Sequence, residues 1–344
     1  MKNLLLLFCF CTAIYPTKAQ EDSVVTNSTP IESRVSTLEK IISKLPKISG
    51  FINMRYQYSS TDDSHSFDIR RARVDFKGDL SSQLDYRLQI EFANSPKILD
   101  AYIRYKIHPY IAVQAGEYKI PFSLENPYGP HTLETIENSM GISKLCNYSD
   151  LSGLSANGRD IGITLYGSLI KQGDYNLLDY AFGVFNGNGI NLKDNNKNKD
   201  FSGILTLHPC KNLSLAGSCY LGKYGKQGEE KDRDRYGAGI KWQDKHLLIR
   251  SEYLYGKTGT LKSEGAYAVV GYFVHPKIQP VVKFDYFQED KSNSQTREYD
   301  YLVGLNYYPI KALRLVVNYT YKDVEASKSS HLLALQFFAM FYIK

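Results

Sequence analysis

The chain has 344 residues, 43% of them hydrophobic, with a formal net charge of +6, 28 tyrosines and one tryptophan. That length allows one large domain or two ordinary ones. Beyond the first twenty residues nowhere do about 18 apolar residues run together, which excludes a helical membrane span there.

The chain opens MKNLLLLFCFCTAIYPTKAQ, with Lys2, an apolar core from Leu4 to Tyr15, and Ala19 at a cleavage point. This is the layout of a secretory signal over residues 1–19, and it directs the protein out of the cytoplasm. Cys9 and Cys11 lack the small preceding residue that a lipoprotein signal wants, so lipidation is not expected. Removal of Lys2 and Lys18 lowers the net charge by two. Residues 20–47 then read as a periplasmic linker in which Val35, Leu38, Ile42 and Leu45 recur at alternating three- and four-residue steps. That spacing suits a coiled-coil seam held together by neighbouring subunits, or a short amphipathic helix lying on the domain.

From Ile48 onward the period becomes two. Ile52, Met54, Tyr56 and Tyr58 alternate with Asn53, Arg55 and Gln57, and Leu84, Tyr86, Leu88 and Ile90 alternate with Asp85, Arg87, Gln89 and Glu91. Strict alternation of this length predicts strands with one apolar and one polar face. Continued to the end, it predicts strands over 48–58, 66–78, 84–94, 98–108, 111–120, 159–169, 175–185, 200–208, 212–222, 234–243, 246–256, 265–275, 278–288, 298–308, 312–322 and 330–342. About sixteen strands fits a transmembrane antiparallel β-barrel and is far from an ordinary sandwich.

The joints separate a barrel from a soluble β protein. Alternate joints are short, as in DLSSQ, KQGD and QDKH, while those between them are mostly long and polar, as in NGNGINLKDNNKNKD and QEDKSNSQTRE. One trimmed and one elaborated rim is the layout of an outer-membrane barrel with periplasmic turns and extracellular loops. The repeated pairs at His108, His208, His275 and Tyr308, each followed by proline, all fall on the short rim, where a residue without an amide hydrogen punctuates a turn. Tyr253, Tyr255, Tyr299, Tyr301, Tyr319 and Tyr321 take outward parity near strand ends, as an aromatic girdle at the lipid boundary requires. The final run HLLALQFFAMFYIK puts Leu333, Leu335, Phe337, Ala339 and Phe341 on one face, like the terminal strand that barrel-assembly machinery reads, although Ile343 and Lys344 depart from the usual aromatic ending.

Cys146, Cys210 and Cys219 show no disulfide or metal spacing, and the seven histidines form no HxxxH pair. No cofactor, metal, catalytic residue or nucleic-acid partner is expected. No compact Ser, His and Asp or Asn set stands near the rim, which argues against a barrel phospholipase; a surface adhesin or structural barrel stays as an alternative of another class.

The run FDIRRARVDFKGDL from Phe67, followed by YRLQIEFA, ILDAYIRY and GEYKIPFSLE from Gly116, resembles the opening of the phosphate-selective porin O and P family. The resemblance implies a sixteen-stranded homotrimeric porin in the outer membrane of a Gram-negative bacterium, with a barrel over 48–344 whose third long joint, about 123–158, folds inward to narrow the channel. NPYGPHTLETIENSM within that joint suits a turn and short helix. The solutes implied are small anions such as phosphate, with a non-selective general diffusion porin as the alternative. On inward parity Arg55, Arg71, Arg73, Lys77, Arg87, Arg104 and Lys106 make one basic stretch of wall, shared with Asp75, Asp85, Glu91 and Asp100. Guanidinium forks suit phosphate or carboxylate, so these residues either form an anion path or brace the lumen against its acids. Arg235, Lys241, Arg250, Lys283 and Arg314 add charge on other strands, and Arg70 has the wrong parity unless a bulge intervenes.

Overall fold

A computed structural model describes residues 45–343 together with Val35. The expected signal, and the expected seam apart from Val35 and Leu45, lie outside the described residues. The chain from Lys47 forms strands β1 (Lys47–Ser59), β2 (Ser64–Asp79), β3 (Leu84–Glu91), β4 (Lys97–His108), β5 (Ile111–Lys119), β6 (Arg159–Gln172), β7 (Tyr175–Phe185) and β8 (Asp200–Cys210). It continues with β9 (Leu213–Tyr224), β10 (Lys231–Gln243), β11 (Leu247–Thr258), β12 (Leu261–Tyr272), β13 (Ile278–Gln288), β14 (Arg297–Ile310), β15 (Leu313–Val324) and β16 (Ser330–Ile343). Each strand pairs antiparallel with its sequence neighbours, and β1 closes on β16 through Asn53 opposite Phe338. Closure removes both sheet edges, so every ladder amide and carbonyl has a partner without water.

Parity decides what faces lipid. Ile52, Met54, Val303, Leu305 and Phe337 are exposed on the outside, while their neighbours Asn53, Asn306, Gln336 and Phe338 are buried inside. Tyr253, Tyr301 and Tyr319 are exposed on the same outer face, and the Tyr301 and Tyr321 rings lie 6.3 Å apart. Proline interrupts the short rim as expected. The ladder shifts register at His108, between Leu207 and Cys210, and between Tyr307 and Ile310, and His275 makes only an isolated bridge to Ile278. β12, expected over 265–275, runs instead over Leu261–Tyr272 and ends before the turn closed by the His275–Ile278 bridge.

Two bulges matter inside. Asn53 faces Arg71 but Met54 faces Ile69, which leaves Arg70 as the extra residue of β2. Gln89 faces Asp100 but Ile90 faces Ile98, leaving Leu99 as an extra, fully buried residue of β4.

Between β5 and β6 the segment from Ile120 to Gly158 turns into the barrel. A helix, α1 (Met140–Leu145), starts where the predicted helical stretch ends. The preceding residues spend their backbone groups on wall side chains instead: Ile136 N–H donates to Asn318 Oδ1 at 2.8 Å, and the Leu133 carbonyl accepts from Arg314 Nη2 at 2.6 Å. The side chains of Ile142 and Leu145 are buried among Leu254, Tyr267, Val269, Val281 and Phe287, the inward faces of β11 to β13. Each such burial contributes about 1.5–3 kcal/mol. Backbones meet there: a Cβ on Gly265 would lie 3.1 Å from the Gly141 Cα and 3.0 Å from the Phe287 ring. Gly265→Val should therefore leave the barrel closed but lift α1, seen as unchanged heat-modifiable mobility on a gel and cleavage within 123–158 at protease levels that the wild type resists. Equal protease resistance would show that the contact does not hold the helix.

Candidate functional site

The inward segment is fastened mainly to β10–β15, and its residues His131 and Glu137 reach β1 and β2. Glu252 on β11 accepts from Ser123 Oγ at 2.8 Å and from the Leu124 amide at 2.7 Å. Arg250 reaches Glu134 at 2.8 Å and Arg235 reaches Asp150 at 3.0 Å. Arg314 donates to the carbonyls of His131 and Leu133, and Lys283 pairs with Asp285, whose carboxylate accepts from the Met140 amide. Four of the five cations expected on these strands thus hold the inward segment or its anchor.

The seven cations expected on the first strands come together as one wall. Nearest the short-turn rim, Arg104 and Lys106 share Asp85 at 2.8 and 2.9 Å. Lys77 pairs with Asp75 at 3.0 Å, and Arg87 grips Asp75 through Nε and Nη2 while Nη1 lies 3.0 Å from Asp100. Higher up, Arg73 is buried on Glu91 at 2.7 Å and stacks over Phe51, whereas the nearest carboxylate to Arg71 is Glu91 at 4.0 Å. Arg55 holds Asp68 at 2.8 Å and Glu137 of the inward segment at 3.2 Å.

Three further cations join this wall. The β2 bulge turns Arg70 inward onto Glu137, so parity alone misplaces it. Arg159, the first residue of β6, donates to Asp100 at 2.8 Å, and Lys119 donates to the carbonyls of Asn126 and Tyr128 at 2.5 and 2.6 Å. Lys119 stands in the GEYKIPFSLE run, the one signal that marked it. These ten cations share only six carboxylates, namely Asp68, Asp75, Asp85, Glu91, Asp100 and Glu137. A cavity of about 220 Å³ opens between the wall and the inward segment, with Arg70, Arg71, Arg73, Lys119 and Arg159 on one side and Asn138, Ser143, Tyr148 and Ser149 on the other.

One expectation is overturned. Ser214 Oγ lies 3.1 Å from His208 Nδ1, and His208 Nε2 lies 3.0 Å from Asp179, a compact Ser–His–Asp set assembled from β9, β8 and β7. The three positions are far apart in sequence and meet only because alternate residues of adjacent strands share a face. Ser214 is buried within a regular pairing with Lys241, and an amide committed to a ladder cannot stabilise an oxyanion. The set is a brace.

Comparisons place this geometry. The family described as phosphate-selective porin O and P matches residues 48–210 and 219–341. No curated protein sequence matches the chain. Among solved structures, the anion-selective porin from Comamonas acidovorans superposes with a TM-score of 0.67 at 14% identity, over 86% of this chain and 99% of that one. Salmonella typhi OmpF in complex with daunomycin gives 0.67 at 12% identity, over 87% and 99%. OmpT of Vibrio cholerae in its trimer form gives 0.62 at 12% identity, over 86% and 99%. Identities this low speak to the barrel fold.

In the inward segment His131 packs 4.8 Å from the Phe51 ring, with its Nδ1 buried and unpartnered among the described residues. Burial, then Arg73, Arg314, Arg87 and Lys77, lower its pKa from 6.5 to about 4. A released segment would regain the ordinary value and bind a proton that the docked His131 refuses, so docking is strongest above the ordinary pKa and weakens as pH falls between these two values. Protease cleavage within 123–158 should rise on acidification across that window, and His131→Phe should flatten the rise; an identical pH profile in the variant would remove His131 from the account.

Proposed function

The chain belongs to the phosphate-selective porin O and P family and is an outer-membrane β-barrel porin, a channel and not an enzyme; from that premise we propose that it conducts small anions, phosphate among them, along the basic wall of β1 to β6. The observation that carries the reading is the cavity between this wall and the inward segment, where Arg70, Arg71, Arg73, Lys119 and Arg159 face a single lining carboxylate, Glu137, among hydroxyl and amide groups. Guanidinium groups offer planar forks of donors that match phosphate and carboxylate oxygens. A narrow place with low-dielectric walls focuses their field, so a local excess of positive groups counts for more here than the formal charge of the whole chain. The carboxylates keep the excess small, which favours transient engagement over tight binding. The solved neighbour described as an anion-selective porin fits this reading.

Arg71 offers the clean test because its nearest carboxylate is 4.0 Å away. Arg87→Ala, by contrast, would strand both Asp75 and Asp100. In planar bilayers under a potassium chloride gradient the reversal potential should indicate chloride over potassium. Arg71→Gln should lower that ratio by about threefold at low salt, with the difference fading as the screening length falls from about 10 Å at 0.1 M to about 3 Å at 1 M. A wild-type reversal potential on the cation side would reject the reading in favour of a different solute class.

The same proposal includes a homotrimer with a coiled-coil or amphipathic segment before the barrel, supported by the family and by the heptad spacing of Val35, Leu38, Ile42 and Leu45. Native mass spectrometry in mild detergent should give three chains, and a monomer alone would refute this part.

A further inference from the structure

The lumen wall changes character from strand to strand. Across β2–β4 its periplasmic half carries Asp75, Lys77, Asp85, Arg87, Arg104 and Lys106. Next to it, the inward positions of β5 to β8 carry Ala112, Tyr166, Ala181, Ile204 and Thr206, uncharged and largely apolar. The two characters meet in a cavity of about 740 Å³ at the periplasmic mouth, bounded by the β4–β5 turn at His108 and Pro109, with Arg104 and Lys106 at one edge. Its one lining carboxylate, Asp179, is held by His208 at 3.0 Å.

An apolar surface facing a water-filled channel gives nothing to a hydrated inorganic ion. Such an ion also needs far less room, whereas this volume lies within the range of about 300–1,000 Å³ typical for small organic ligands. The cationic edge is available. Arg104 donates through Nε to Asp85 at 2.8 Å, and among the described residues no protein group takes its two terminal amino groups; the side chains of Arg104 and Lys106 are 34% and 47% exposed.

We propose that this mouth is a binding site for organic monocarboxylates bearing an aromatic ring or short alkyl chain. The carboxylate engages the Arg104 terminal amino groups and Lys106, while the apolar body lies against Tyr166, Ala181 and Ile204. An aromatic body gains edge or stacking contact with Tyr166 as well as area removed from water. The site rests on the anion-conducting reading, because the solute must pass the upper wall to reach it from outside. It narrows that reading from anions in general to amphipathic ones.

Benzoate and acetate carry the same charge at neutral pH and differ in their apolar body, so their comparison isolates the apolar wall. Each is titrated into a potassium chloride bilayer recording from the periplasmic side. Benzoate should reduce the chloride current at about one-tenth of the acetate concentration, roughly the effect of burying a single ring partway. Tyr166→Ser combined with Ile204→Ser should bring the two half-blocking concentrations within about twofold, and Arg104→Gln should weaken both alike. If the double variant does not insert, the smaller change Ile204→Thr, which keeps the β-branch, should still lower the ratio, and an unchanged ratio would count against the site. Equal half-blocking concentrations in the wild type, or a tenfold difference that survives the double variant, would overturn the proposal. The reversal potential recorded in the same membranes separates the cases: chloride preference without benzoate preference defeats only this site, whereas cation preference defeats the anion reading beneath it.

Discussion

A single buried carboxylate fixes where the inward segment enters the barrel. Glu252 accepts from the Ser123 hydroxyl, from the amides of Leu124 and Glu125, and from the Tyr267 hydroxyl. These bonds capture the chain as it leaves β5, at a point where Ser123 holds the left-handed backbone, φ +72°, that a residue with a side chain seldom adopts. From that pivot the inward segment is committed to the β10–β15 side, where an apolar core buries α1. The opposite wall is left uncovered over much of its length, with the arginines of β1–β6 ranged along it.

The pairing on that wall shows how the bracing role is filled. A guanidinium buried as Arg73 is needs a partner, since an uncompensated charge in a low-dielectric place costs several kcal/mol. Glu91 supplies it, as Asp75 and Asp100 do for Arg87. The carboxylates therefore brace the wall, and the surplus of cations gives it a sign. The partly exposed members, such as Arg71 and Arg104, are those with donors to spare.

Much of this was legible from a period of two. Parity assigned Asn53 and Gln336 to the inside and Met54 and Phe337 to the outside, because burial on one face leaves no freedom to slip by one residue. Parity fails where a residue is inserted, and Arg70 is that case: its inward turn depends on a bulge that no alternation reveals. Lys119 and Arg159 lie at strand ends, where ladder geometry gives way to the local path of the inward segment. The Ser214, His208 and Asp179 alignment needs the register of three strands at once, and α1 shifted because wall side chains outcompeted local helical bonds over residues 131–139.

The anchors of the inward segment span long stretches of chain, from Ser123 to Glu252 and from Ile136 to Asn318. Contacts this distant in sequence cannot form until the last strands exist, which makes docking a late and slow event in folding. The segment springs from the rim between β5 and β6, and a cylinder of paired strands is open at its rims, so its way in is through the mouth and does not depend on the seam between β1 and β16. Connectivity thereby orders the events: the wall is raised strand by strand, and the loop is laid into it last.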